Sequence, residues 1–197
     1  MIETKIDFIR HGEPVGGRCF RGHGIDDPLS EKGWGQMWAA VEAVSGWGHI
    51  ISSPLQRCRQ FAEALAVRQG VSVSLDERFK EVGFGAWEGR SPVEIQQSEA
   101  EAYAAFYRDP VLHRPDGAEP WDQFSARVSA ALDDVSRIYA GQHVLVVAHA
   151  GVIRAVAATV LQTSATGAYR IKIDNAGFSQ FCHDGKNYRL TYLNRKN

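Results

Sequence analysis

The run His143-Val144-Leu145-Val146-Val147-Ala148 constrains this 197-residue chain more than any other stretch. A strand that is apolar on both faces cannot lie on a solvated surface, so both of its faces must be covered. It is therefore expected at the centre of the sheet. His149-Ala150-Gly151 follows it and opens a helix over residues 152–161. A second apolar strand, carrying Ile6, Phe8 and Ile9, runs into Arg10-His11-Gly12, and a third, residues 49–52, runs into Ser53-Pro54. Neighbouring side chains of a regular strand point to opposite faces, so Arg10 and His11 can share a pocket only at a strand end, where Gly12 relaxes the backbone.

Between these strands the apolar spacing turns helical. Ser30 is the expected N-cap of a helix with Met37, Trp38, Val41 and Val44 on its apolar side. Pro54 is placed in the first turn of a helix carrying Leu55, Cys58, Ala62 and Leu65, which Gly70 stops. Residues 71–75 alternate as a strand, and residues 76–89 read as an ordered loop. Ser91-Pro92-Val93-Glu94 has capping-box spacing, residues 100–108 are helical, and residues 109–120 are turn-rich. Phe124, Val128, Ala131, Leu132 and Val135 mark a longer helix. The chain is expected to close with a strand over residues 169–173 and a hairpin around Asp184-Gly185. The pattern implies an α/β fold: a three-layer α/β/α sandwich with a mostly parallel sheet and an antiparallel edge.

Several function classes are disfavoured. A formal net charge of −1 argues against a nucleic-acid partner, though it allows a local basic pocket. The longest apolar run, residues 152–161, is interrupted by Arg154 and falls short of the roughly 18 residues of a membrane span. Cys19, Cys58 and Cys182 are odd in number and scattered, which fits a reducing, cytoplasmic setting and no cysteine zinc site. Residues 1–5 lead into a strand without a charged leader and apolar core. No G-x-G-x-x-G follows the first strand, so dinucleotide binding is the weakest reading.

Ligands of open α/β sheets bind at the carboxyl ends of strands. Three such ends here offer Arg10, His11, Arg57 and His149, beside a loop carrying Glu77, Glu81 and Glu88. Paired donors of this kind suit a phosphate. The blander reading of each is a surface Arg-His turn or a packing residue. The same applies to His23, His49, His113, His143 and His183, to Glu13 as a loop brace, to Arg154 as an ion-pair partner, and to Trp34, Trp38 and Phe61 as core.

Taken together, Phe8-Ile9-Arg10-His11-Gly12-Glu13, Asp27-Pro28-Leu29-Ser30, Ser52-Ser53-Pro54-Leu55-Gln56-Arg57, the segment from Glu81 to Gly89, and Ala148-His149-Ala150-Gly151-Val152-Ile153-Arg154 resemble the histidine phosphatase superfamily, of phosphoglycerate-mutase-like fold. The matches run in the family's order over roughly the first 155 residues. The resemblance implies a single domain over residues 1–197 with a lid or specificity insertion at about 89–121. It implies His11 as the phosphorus-attacking nucleophile, its pKa depressed by Arg10 and Arg57, which also clamp the phosphate. His149 would donate to the transferring group, and Glu81 would serve as proton donor, with Glu77 and Glu88 as the competing carboxylates. No metal and no cofactor are implied.

The chain departs from the family at Pro14, where Ser or Thr is common, and at Gly17, where Asn is common; Arg18, Cys19 or Arg21 could fill that side of the pocket. The substrate-facing candidates are Arg18, Phe20, Arg21, His113 and Trp121. The implied activity is metal-independent hydrolysis of a small phosphorylated metabolite, most like that of α-ribazole phosphatases of cobalamin biosynthesis. The competing activities are a phosphoglycerate-mutase-type isomerase and an idle phospho-ligand-binding module. Oligomeric state is left open, a homodimer included.

Overall fold

The computed structural model describes residues 3–196. In chain order these form β1 (Thr4–Arg10), α1 (Glu31–Val41), β2 (His49–Ser52), α2 (Gln56–Gln69), β3 (Ser72–Leu75), α3 (Pro92–Ser98), α4 (Ala100–Arg108), α5 (Trp121–Ile138), β4 (His143–Ala148), α6 (Ala150–Leu161), α7 (Ala165–Ala168), β5 (Phe178–His183) and β6 (Tyr188–Arg195). The strands make one sheet in the order β3-β2-β4-β1-β5-β6. The first four are parallel, with Ile6 opposite Val144 and Ile50 opposite Leu145. β5 and β6 add the antiparallel edge. The apolar run 143–148 is central, as its composition requires.

Period-two alternation sends the side chains of β4 into two cores. Val144, Val146 and Ala148 join Ile6 and Phe8 beneath Phe124, Val128 and Leu132 of α5 and Val152 and Val156 of α6. Leu145 and Val147 join Ile9 and Ile50 beneath Met37 and Val41 of α1 and Phe61 and Leu65 of α2. A third, smaller cluster lies off the sheet, where Trp87, Ile95 and Phe106 pack with Phe20, Phe84, Tyr103 and Tyr169. The one carboxylate buried inside the sheet, Asp7, accepts hydrogen bonds from Trp47 Nε1 and Gln180 Nε2 and lies 2.8 Å from His143 Nε2, so its burial is compensated.

Residues 169–173 are not a strand. The amides of Arg170 and Ile171 turn back onto the carbonyls of Gly167 and Ala168. The carbonyls of Ile171 and Ile173 accept from Arg154 Nε and Arg10, which takes them from any ladder. β-propensity lost to guanidinium groups looking for acceptors. Smaller differences concern helix ends. Pro54 lies outside α2, whose N-cap is Leu55, and Val44 falls beyond the end of α1. The loop 76–89 contains two 3-10 turns, Glu77–Phe79 and Gly85–Trp87, and α6 starts at Ala150, immediately after His149.

Candidate active site

Three parallel strands, β1, β4 and β2, end side by side, and each releases one histidine or arginine segment at its carboxyl tip. The His11 amide donates to Ala148 O, which keeps residue 11 in line with β1 while the chain turns away. Its Nδ1 lies 2.7 Å from Gly12 O. A carbonyl can only accept, so Nδ1 carries the hydrogen and Nε2 presents its lone pair. Gly12 is required here for a reason other than a relaxed backbone. A Cβ on it would stand 2.3 Å from Gly33 O, because the first turn of α1 crosses directly over it.

Arg10 donates to Ile173 O, and Arg57 donates to Ile25 O and Gly22 O, so loop carbonyls fix both guanidinium groups. The Nε of each is buried without a hydrogen-bond partner among the described residues. An orphaned buried donor is costly, and an anion settling between the two arginines would satisfy both. His149 is the N-cap of α6, whose free N–H groups favour negative charge. Its ring centre lies 5.2 Å from that of His11, and its Nε2 is 2.8 Å from Ser53 Oγ. The Cys58 thiol closes the back of that ring, 3.6 Å from Nε2.

Burial is the first cause holding both imidazoles well below their ordinary pKa, with the positive charges of Arg57 and Arg10 adding to it. Desolvation thus outweighs the arginines, to which the resemblance alone attributes the depression. Arg10 is itself lowered to about 10, chiefly by burial. The result is an uncharged imidazole beside two cations.

Of the three glutamates in the loop, only Glu81 lines the same cavity. It accepts from the amides of Val82 and of Gly151 in the first turn of α6. Glu88 instead accepts from the Phe84 amide, and Glu77 is exposed and paired with Lys80. The Glu81 loop is held from outside by Arg127 of α5, which donates to the carbonyls of Arg78, Lys80 and Glu81 and pairs with Glu119. Glu119 in turn accepts from the Gly83 amide.

The cavity above these groups has a volume of about 580 Å³. Arg10, His11, Arg18, Phe20, Arg21, Arg57 and Glu81 all line it. Arg21 is committed elsewhere, to Asp27 and to the carbonyls of Val15 and Gly17, so it braces the loop. Trp121 and His113 do not face the cavity. Trp121 is buried against Phe124 and Tyr169 because it opens the amphipathic α5, and His113 sits exposed in the turn-rich segment after α4. Arg154 makes no ion pair among the described residues; it stacks over Tyr169 and lines the cavity, contrary to its structural reading. Lys172, Asn175 and Tyr107 were not anticipated as lining residues. The turn at 171–175 carries the first two to the rim, and its only forewarning was a segment that reads as a strand. Among the described residues no three His, Cys, Asp or Glu side chains are grouped to hold a metal ion.

The fold and this strand-end cup define an α/β protein with a buried, cationic, anion-accepting site. Residues 6–196 match the model of the histidine phosphatase superfamily (branch 1), and the chain belongs to that family. It is 31% identical over 188 residues to a bifunctional protein of Mycobacterium tuberculosis, covering 92% of this chain and 51% of that one. The chain thus spans about half the length of these mycobacterial relatives. It is 31% identical over 183 residues to a probable phosphoglycerate mutase of Klebsiella pneumoniae, covering 89% and 83% of the two chains. Among solved structures it is similar to a mycobacterial glucosyl-3-phosphoglycerate phosphatase complexed with VO3 (TM-score 0.87, 28% identity, 98% and 99% covered). It is likewise similar to a putative α-ribazole-5′-P phosphatase of Escherichia coli (TM-score 0.82, 26% identity, 98% and 96% covered).

Proposed function

We propose that this chain is a phosphomonoesterase that hydrolyses a small phosphorylated metabolite through a phosphohistidine on His11. The observation that carries the proposal is the state of that ring: held neutral, with Nδ1 committed to Gly12 O and Nε2 left as a base on the cavity that Arg10 and Arg57 also line, while the fully buried His149 ring stands 5.2 Å away without lining it. His11 Nε2 attacks phosphorus as the P–O bond to the leaving group breaks. Glu81, in its acid form, gives the departing alkoxide a proton. Glu81 then takes a proton from water, the hydroxide attacks phosphorus, and the P–N bond breaks to return neutral His11 and free phosphate. Arg10, Arg57 and His149 meet the charge on the equatorial oxygens, where positioned donors act most strongly. Each step has a side chain to carry it and none is routed through a metal. Residues 89–121, which bring Tyr107 and Pro92 to the cavity, serve as the specificity wall.

Glucosyl-3-phosphoglycerate and α-ribazole 5′-phosphate are the first substrates to try, because structural relatives are named for them, and hydrolysis of the second would support a role in cytoplasmic cobalamin biosynthesis. The test is phosphate release across a panel of phosphorylated metabolites that includes both. Release from one or more, lost in His11→Ala, is the expected result. A mutase reading has the Klebsiella relative behind it. Incubation with 3-phosphoglycerate and a bisphosphate primer separates the two, since isomerisation without free phosphate would reject hydrolysis. Release that His11→Ala leaves unchanged would remove His11 as the nucleophile, and release from no compound of the panel would leave only a binding role.

A further inference from the structure

A second cavity opens beside the first. It has a volume of about 220 Å³ and shares Phe20, Phe84, Tyr107 and Arg154 with the catalytic cavity, so the two adjoin across those side chains. Its own walls add Phe106 and Tyr169, with Arg108, Pro110, Thr166 and Arg170 completing the lining. The rings stand edge to face: Phe20 on Phe84 at 4.9 Å, Phe106 on Tyr107 at 5.4 Å and Phe106 on Tyr169 at 5.9 Å between centres. Arg154 lies over the Tyr169 ring at 5.7 Å. Whole drug-sized ligands occupy pockets from roughly 300 Å³ upward, so a trough of this size takes one part of a molecule whose remainder sits elsewhere. The neighbouring cup supplies that elsewhere.

We propose that the trough binds a planar aromatic ring on the leaving group, so that the substrate is a phosphate ester of a ring-bearing alcohol. The proposal rests on the phosphomonoesterase reading for the identity of the ring-bearing molecule as substrate. Three observations carry it. Five of its ten lining side chains are aromatic and present faces and edges to an offset or edge-on ring, and the arginines among the rest can lie flat against one. Tyr107 is 56% exposed at the rim, an aromatic side chain placed where a ligand and not the core would cover it. Arg154, shared by both cavities, can lay its planar guanidinium against a ring while its charge stays near the phosphate. A small polyol phosphate would fill the cup and leave the trough to water.

The experiment measures binding, which does not require turnover. Ethylphosphonate and 2-(1-naphthyl)ethylphosphonate carry the same anion and differ by the ring. Calorimetric titration of the intact protein is expected to show the naphthyl compound binding roughly 10- to 100-fold more tightly, the range a well-fitted apolar group gives. In Tyr107→Ala, whose exposed side chain makes unfolding a minor concern, that ratio should fall at least about threefold. Equal binding of the two compounds, tighter binding of a glycerol-based phosphonate, or binding of neither overturns the proposal. Phosphate release is assayed separately on the matching esters. A ring preference in binding with no release from any ester would sink the phosphatase reading and keep the trough; release from both esters at equal efficiency, with no preference in binding, would do the reverse.

Discussion

The cup and the trough touch through four side chains, yet they are built in opposite ways. The cup hangs on strand ends, and backbone groups anchor four of its side chains: His11 by Gly12 O, Arg10 by Ile173 O, Arg57 by two loop carbonyls, Glu81 by two amides. The trough belongs to the small third core off the sheet, where rings are held by other rings and Tyr107 by little else. The first arrangement fixes a reaction and tolerates no displacement. The second fixes a shape, and shape can be changed one ring at a time. Chemistry and specificity are therefore expected to separate under mutation.

The sharpest test of that separation is His11→Ala. Turnover should fall by at least ~10⁴-fold, as removal of a nucleophile does, and acid-quenched protein should no longer carry labelled phosphate. The ring preference measured with phosphonates should survive. A variant that lost both together would show one site where two are drawn.

Gly151→Ala divides the cup itself. A Cβ at residue 151 would stand 2.2 Å from Glu81 Oε1 and 3.2 Å from Val82 Cγ1, so the flexible carboxylate has to move and the buried valine has to give by a few tenths of an ångström. Gly151 sits inside α6 at an ordinary helical angle, so the fold should hold and the helix gain slightly. The carboxylate is displaced from the leaving-group position. Hydrolysis of alkyl phosphates should drop ~10²–10⁴-fold, the span of a general acid, and that of p-nitrophenyl phosphate, whose leaving group needs no proton, far less. Equal losses on both substrates would remove Glu81 from the proton-donor role.

The same contrast explains what could be read before any coordinates. Arg10-His11-Gly12, Ser53-Pro54-Leu55-Gln56-Arg57 and His149-Ala150-Gly151 are contiguous, and the covered central strand dictates the parallel sheet that brings their ends together. The trough draws Phe20, Phe84, Phe106, Tyr107, Arg154 and Tyr169 from five separate segments. Each of these looks like ordinary packing alone, and Trp121, which was expected to face the substrate, stands one layer behind them against Tyr169. Residues 169–173 misread as a strand because their apolar spacing is real. What sequence spacing omits is that Arg10 and Arg154 take the carbonyls a sheet partner would need.

Acid weakens the fold through the buried histidines of the cup. His11 and His149 stay neutral in the folded state well below pH 6.5, while the unfolded chain binds a proton on each as pH falls through that value. The unfolded state then holds more protons, so unfolding free energy decreases as pH drops below about 6.5, at up to ~1.4 kcal/mol per pH unit for each histidine. His49, lowered by burial but much less enclosed, adds a smaller share in the same direction. Urea unfolding at pH 7.0, 6.0 and 5.5 measures the slope. His11→Ala should reduce it by about one proton, and an unchanged slope would mean that His11 is not held neutral.

The smallest effect is expected from Trp121→Phe. Trp121 is 7% exposed and touches Tyr169 and Phe124, so the substitution removes buried ring atoms from behind the trough without removing a lining residue. Thermal unfolding should register a loss of about 1–2 kcal/mol, at the mild end of large-to-small core changes because an aromatic ring is kept. The naphthyl-to-ethyl binding ratio should stay within about twofold of the unmodified protein. A larger change would mean that Trp121 sets the position of Tyr169, and that the shape of the trough is determined one layer deeper than its walls.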